Sequence, residues 1–393
     1  MWRNRVSWNL GVLLLVGAPA IAQLQSGIPA SVGISPAGLD CATELLESEV
    51  RQGRLGAASI LVARRGVVVL HKGFGHLSPG AGSPAVGPDS VYVAASLTKP
   101  VTATALIILV ERGKVSLNEA VSTYLPEFTG GERGKVRVLD LLTHTSGLPD
   151  QLPEIGELFR ARAPLSEFVE HAYTTPLLFT PGTAFYYQSM GILLAADIVT
   201  RVSGMPLADF EQQEIFGPLG MKHSALGLGQ MQIDDTVQVL DDSKADALPL
   251  GSNDLTARDV NSGYWRSLGN PWGGMHTTTM DLAILLQTFL DGGSYGGKRI
   301  LGPATVKTMT ANQNAHLNVP WGLGWRLGAS SGKDLGDLVS PSTFGHMGST
   351  GNMEWADPET RVVCVILTNR PLALDKGLFL RLVSNAVAAA VEN

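Results

Sequence analysis

The sequence predicts an α+β protein: one α/β lobe built from both ends of the chain, with a mostly helical lobe inserted between them. Three observations carry this. β-rich runs form hairpins near both ends of the chain, a helical segment accompanies each hairpin, and most periodic segments in between are helical. Composition agrees, because 393 residues that are 45% hydrophobic and 16% charged can bury a large core and are too apolar for a disordered chain.

Taken in order, residues 1–22 read as a signal peptide. Arg3 and Arg5 precede the apolar run around Leu13–Val16, and the small residues Ala20 and Ala22 suit cleavage before Gln23. The run is shorter than the roughly 20 residues a spanning helix needs, so no stable membrane anchor is expected after cleavage, and the protein is expected to be periplasmic or secreted. Residues 23–393 are expected to form a single domain, because no internal repeat and no linker splits them. A helix is predicted over 39–52, followed by strands over 57–63 and 67–72 around the turn Arg64-Arg65-Gly66. Helices over 102–112, 191–202 and 279–290 each end at a glycine, namely Gly113, Gly204 and Gly292. A second hairpin is predicted from Asn352–Ala356 and Arg361–Thr368 around Asp357-Pro358-Glu359-Thr360, and a helix over 378–391 closes the chain. The α/β lobe is thus expected from about 38–92 and 320–393, and the helical lobe from about 93–319.

Several function classes are set aside. The net charge is −6 and no basic run stands out, so nucleic acid is not an expected partner. No sequence motif supports a metal or other cofactor. Cys41 and Cys364 are expected to be separate buried thiols rather than a bridge. The acidic stretch holding Asp234, Asp235, Asp241, Asp242 and Asp246 reads as a solvated surface.

Chemistry is suggested first by Ser96-Leu97-Thr98-Lys99. Pro100 is tolerated only in a first helical turn, so a helix must start close to Ser96. Residues three apart share a helix face, which aims the Lys99 amine back at the serine hydroxyl. A serine is a poor nucleophile until a base takes its proton, and a desolvated lysine can act as one. Alone the spacing is weak, as is His346-Met347-Gly348, whose glycine could let a substrate backbone approach a strand. Two Gly-x-Ser-x-Gly patterns, at Ser294 and Ser330, lack the strand-then-helix context of a nucleophile elbow.

In order and with their flanks, these pieces resemble the serine β-lactamase and DD-peptidase superfamily, and within it the class C β-lactamase-like hydrolases. The matching stretches are Ser96–Pro100, Leu141–Pro149, Pro181-Gly182-Thr183 with Tyr187, Gly273–Met275 running into Thr278 and Asp281, Trp321–Trp325, and Gly345–Gly348. The resemblance implies an antiparallel sheet flanked by the N- and C-terminal helices, with a single catalytic domain over 23–393 and the site in the cleft between sheet and helical lobe. It also implies Ser96 as the acylated nucleophile, Lys99 as its proton partner, Tyr187 as second base or acid and His346 as the group on the adjacent strand. The N–H groups of Ser96 and Ser349 would form the oxyanion hole. It makes His144 part of a structural turn. Ser189 and Met347 stand where many relatives carry an Asn amide and a Thr hydroxyl for substrate, and Gly348 completes that strand. These departures favour an ester hydrolase or a D-amino-acid amidase or peptidase over a β-lactamase or DD-peptidase, with a non-catalytic binding module as the alternative outside enzymes. The expected partner is a small-molecule ester, amide or peptide. A charged His346 that binds an anionic substrate group would make affinity fall as pH rises through about 6.5.

Overall fold

The computed structural model describes residues 23–240 and 259–392. The predicted signal peptide at 1–22 and Asp241, Asp242 and Asp246 lie outside the described residues.

Twelve strands occur among the described residues: β1 (Gln25–Ser26), β2 (Ala57–Arg64), β3 (Val67–Gly75), β4 (Tyr92–Val93), β5 (Ala225–Leu226), β6 (Met275–Thr277), β7 (Ser294–Tyr295), β8 (Lys298–Arg299), β9 (Arg326–Leu327), β10 (Phe344–Gly348), β11 (Asn352–Asp357) and β12 (Val362–Thr368). Seven of them form one sheet in the order β1-β3-β2-β12-β11-β10-β9. Neighbours pair antiparallel as expected, except that β1 adds parallel to β3 at one edge. The β2–β3 turn is Arg65-Gly66, with φ of 52° and 80°. Positive φ at both positions matches the right-handed twist of the flanking strands. The smaller sheet β4-β6-β5 lies within the predicted helical lobe.

β12 shows why the sheet sits in the middle of the protein. Its run Val-Val-Cys-Val-Ile-Leu is apolar at every position, the pattern of a strand covered on both faces. Val362, Cys364 and Ile366 pack in one cluster with Leu39 and Leu46 of the helix Pro36–Arg51 and Val383 and Val387 of the helix Leu378–Ala389. Val363, Val365 and Leu367 turn the other way, into the larger cluster shared with the helices Thr98–Glu111, Met190–Ser203 and Thr279–Leu290. Ala94 and Leu97, on either side of Ser96, belong to this second cluster.

The two cysteines are unpaired, and only one is buried. Cys364 sits inside the sheet, whereas Cys41 is exposed on the first helix.

Candidate active site

Ser96 lies on a short 3₁₀ turn, Ala95–Leu97, between β4 and the helix Thr98–Glu111. Ala95 has φ of +48°, a left-handed conformation that costs an L-residue about 1–2 kcal/mol. Its neighbours hold it there: the Thr98 hydroxyl donates to the Ala95 carbonyl at 2.7 Å, and the Ala94 N–H donates to Met275 O at 2.8 Å. Lys99 is 1% exposed, and its Nζ donates to Ser96 Oγ at 2.9 Å and to Trp272 O at 3.0 Å. Three residues of the helix grip the segment 271–275. Thr98 Oγ1 accepts from Met275 N at 3.1 Å, Lys99 takes Trp272 O, and Thr102 Oγ1 donates to Pro271 O at 2.8 Å. Glu211 lies 3.2 Å from that threonine, and its burial pushes the carboxyl up to about 8. Protonated at neutral pH, it can donate to Thr102 and leave the threonine proton for Pro271.

Tyr187 arrives from the opposite side. The turn Thr143–Gly147 is a socket for its loop. His144 O accepts from Tyr186 N at 3.0 Å, His144 Nδ1 accepts from Gln188 N at 3.2 Å, and Ser146 Oγ donates to Gln188 Oε1 at 2.7 Å. The His144 ring lies 4.6 Å from the Tyr187 ring and 4.8 Å from Trp321. His144 is buried and its pKa lies well below the usual histidine value, through desolvation first and then the charges of Lys99 and Arg326. The turn is thus structural in position, yet its imidazole packs directly on the tyrosine. Lys99 Nζ is 4.9 Å from the Tyr187 ring centroid, which brings the serine and tyrosine sides together.

His346 sits on β10 with its ring 6.0 Å from that of Tyr187. Its Nδ1 is satisfied by the backbone of Met347, and its Nε2 is buried with no partner. Desolvation, with Arg326 and Lys99 adding to it, holds its pKa well below the ordinary histidine value. The expectation that His346 supplies positive charge to an anionic group is therefore corrected: the imidazole is neutral across the physiological range. The positive charge on this side belongs to Arg326 of β9. Its guanidinium lies 5.4 Å from the Tyr187 ring and 5.1 Å from Trp321, and it is ion-paired with Asp334.

Two further expectations change. Met347 does not face the site, because side chains alternate along a strand and His346 already occupies that face. Its side chain packs instead in the cluster of the terminal helices, and its Cε would crowd a Cβ at Gly377. Gly348 leaves room for protein rather than substrate: a Cβ there would stand 2.4 Å from Ala94 O and 3.3 Å from Ala95 Cβ. Its bareness lets β10 press against the turn Ala95–Leu97. The other matched stretches have structural tasks too. Thr278 caps the helix Thr279–Leu290, and buried Asp281 accepts from His223 N at 2.7 Å and Ser224 Oγ at 2.9 Å.

Ser96, Tyr187, Ser189 and Ser349 line one cavity of about 330 Å³, together with Asp150, Phe159, Trp265 and Trp272. The sequence reading missed Asp150 and Arg326. Each directly follows a matched stretch, Pro149 and Trp325 respectively, and that adjacency was the available signal. Neither decoy serine lies there. Ser294 pairs in the small β7–β8 hairpin, and Ser330 donates to Pro320 O at 3.1 Å.

The family model described as Beta-lactamase matches residues 42–382. A Salmonella agona protein named "Putative D-alanyl-D-alanine carboxypeptidase" is 30% identical over 379 residues, covering 88% of this chain and 86% of its own. A solved penicillin-binding protein homologue from Caulobacter crescentus is similar with a TM-score of 0.73 and 25% identity, over 91% of this chain and 99% of that one. A family VIII carboxylesterase has the same fold, with a TM-score of 0.74 at 23% identity, over 91% and 99%. With the family model spanning most of its length, the chain belongs to the beta-lactamase family and is a serine hydrolase.

Proposed function

We propose that this is an exported hydrolase that forms an acyl-enzyme on Ser96 and acts on carboxylic esters or D-amino-acid amides and peptides. One observation carries the reading: a buried lysine amine, anchored to a backbone carbonyl, sits 2.9 Å from a serine hydroxyl that opens into a cavity. In the first half-reaction Ser96 Oγ attacks the substrate carbonyl carbon and its proton passes to the Lys99–Tyr187 pair. The oxyanion is held by the N–H groups of Ser96 and Ser349. As the intermediate collapses, the same pair returns the proton to the departing alcohol or amine. Water then attacks the ester on Ser96, giving up a proton to the pair, and the acid leaves with Ser96 Oγ reprotonated. The neutral His346 contributes an imidazole beside Tyr187 rather than a charge. Residues 23–393 act as one catalytic unit, and 1–22 direct export before removal.

Weak β-lactam turnover is expected, since Ser189 replaces the amide that many relatives offer and its hydroxyl is committed to Asp150. A short p-nitrophenyl ester series and a chromogenic cephalosporin, each with wild type and Ser96→Ala, test this. Ser96-dependent ester turnover that exceeds cephalosporin turnover supports the reading, and the reverse preference overturns it. The positive charge of Arg326, 5.4 Å from the Tyr187 ring though outside the cavity lining and paired with Asp334, favours at longer range a second reading, a carboxypeptidase whose substrate ends in a carboxylate, in keeping with the name of the Salmonella agona relative. Release of D-alanine from a D-alanyl-D-alanine peptide, faster than ester hydrolysis, would select it.

A further inference from the structure

We infer that the cavity beside Ser96 selects acyl groups carrying a protonated amine, with Asp150 as the specificity-determining carboxylate. The corresponding substrates are aminoacyl esters and amides with a free ammonium group. This rests on the hydrolase reading above and narrows it to one side of the scissile bond.

Among the described residues that line the cavity, Asp150 alone carries a formal charge. It has no ion-pair partner among the described residues. One carboxylate oxygen accepts from Ser189 Oγ at 2.7 Å, and the Asp150 carbonyl accepts from Ser189 N at 3.3 Å. The second carboxylate oxygen is neither buried nor hydrogen-bonded to a described residue, so it is free for a ligand. Ser189 is the N-cap of the helix Met190–Ser203, a position where a serine hydroxyl ordinarily accepts from the helix's own N–H groups. Here it makes no cap bond and steers Asp150 instead.

The rest of the wall suits the same guest. Phe159, Tyr187, Trp265 and Trp272 line the same cavity and give it π surface, which attracts ammonium groups and accommodates their apolar stems. A free amine brings three donors and a positive charge to Asp150, whereas an N-acylated amine brings one donor and leaves a desolvated carboxylate without a counter-ion. The site's fixed cations do not compete for it. Lys99 is held behind Ser96 by Trp272 O, and Arg326 does not line the cavity and is paired with Asp334.

The test compares kcat/KM of the full chain for alanine methyl ester, N-acetylalanine methyl ester and methyl propionate, in D and L forms where chiral. The expected result is at least a tenfold preference for the free amine over both others. Asp150→Asn reduces that ratio about tenfold, and Ser189→Ala, which keeps the carboxylate but unties it, reduces it less. A ratio taken within one preparation is unaffected by partial misfolding. Should Asp150→Asn fail to fold, inhibition of wild-type methyl butyrate hydrolysis by propylammonium against 1-propanol reads the same preference. Equal or better turnover of the acetylated or propionyl ester overturns the inference, as does a ratio unchanged in Asp150→Asn or equal inhibition by the two propyl compounds. Loss of the hydrolase reading looks different: none of the three esters would show Ser96-dependent turnover.

Discussion

On the serine side of the cleft, Ser96, Lys99 and the segment behind them are tied together by side-chain hydrogen bonds from Thr98, Lys99 and Thr102. On the tyrosine side hydrogen bonds from the turn Thr143–Gly147 hold the residues flanking Tyr187, but its own side chain is set by rings, and three buried ring nitrogens, His144 Nε2, His346 Nε2 and Trp321 Nε1, have no partner among the described residues. The difference separates two tasks. A nucleophile must be held in one place against a strained turn, which directional bonds do well. In the proposed mechanism the group that exchanges protons is Tyr187 of the cavity wall, whose position packing sets and whose hydroxyl makes no hydrogen bond to a described residue.

The comparison breaks most sharply at the nucleophile. Ser96→Ala should lower kcat for a short ester by on the order of 10⁴-fold or more, and Lys99→Met by a comparable factor, since residues acting as a unit fail together. A Lys99→Met enzyme retaining a tenth of wild-type kcat would show that the amine only packs. Next in size is Tyr187→Phe. It preserves the ring contacts with His144 and Trp321 and removes only the hydroxyl, so a loss of roughly 10²–10⁴ in kcat with little change in thermal midpoint assigns a proton-transfer role. A change under about threefold would make the tyrosine side a wall.

A third measurement reaches beneath the site. Glu354 is the cross-strand neighbour of His346, fully buried with both carboxylate oxygens unpartnered, and burial raises its pKa well above the ordinary value. Because the folded form stays protonated while the unfolded chain ionises above about pH 4.5, the unfolded state holds fewer protons and stability falls as pH rises, by about 1.4 kcal/mol per unit. Glu354→Leu should therefore stabilise the protein by about 1–4 kcal/mol at pH 7, with the gain shrinking towards pH 4.5 in urea titrations. A gain that does not vary with pH would mean that the native protein ionises this group. The smallest effect concerns charge. Affinity for an anionic product analogue should stay flat from pH 5 to 8, because His346 is already neutral, whereas Arg326→Gln should weaken it by about three- to tenfold, roughly 1 kcal/mol. A titration near 6.5 would restore the histidine as the charged group.

Elements governed by local rules were legible before the structure. The helix expected over 279–290 is found at Thr279–Leu290, and the one over 191–202 at Met190–Ser203. Both hairpins stand where the turn residues put them. For the helix after Ser96, periodicity alone marks only 102–112, whereas Pro100 in a first turn places the start close to Ser96, and the helix begins at Thr98. The spacing, with Pro100 marking a helix start, also brought Ser96 and Lys99 together, across the junction of the turn Ala95–Leu97 and the helix that follows it.

Facing, burial and neighbours across the chain were another matter. His346 and Met347 are adjacent in sequence, and only the layers on either side of β10 decide that one packs near Tyr187 and the other against the terminal helices. Gly348 looked open to substrate until Ala94, more than two hundred residues earlier, filled the space. A histidine's charge cannot be read from its letter when desolvation, Arg326 and Lys99 together set it. What the sequence determined by itself was the local conformation and the one chemical pair joined by a single helical turn. The tertiary structure decided which polar groups lost water and which charges met. Those energies depend on distance and dielectric between residues remote in the chain, and no short-range pattern encodes them.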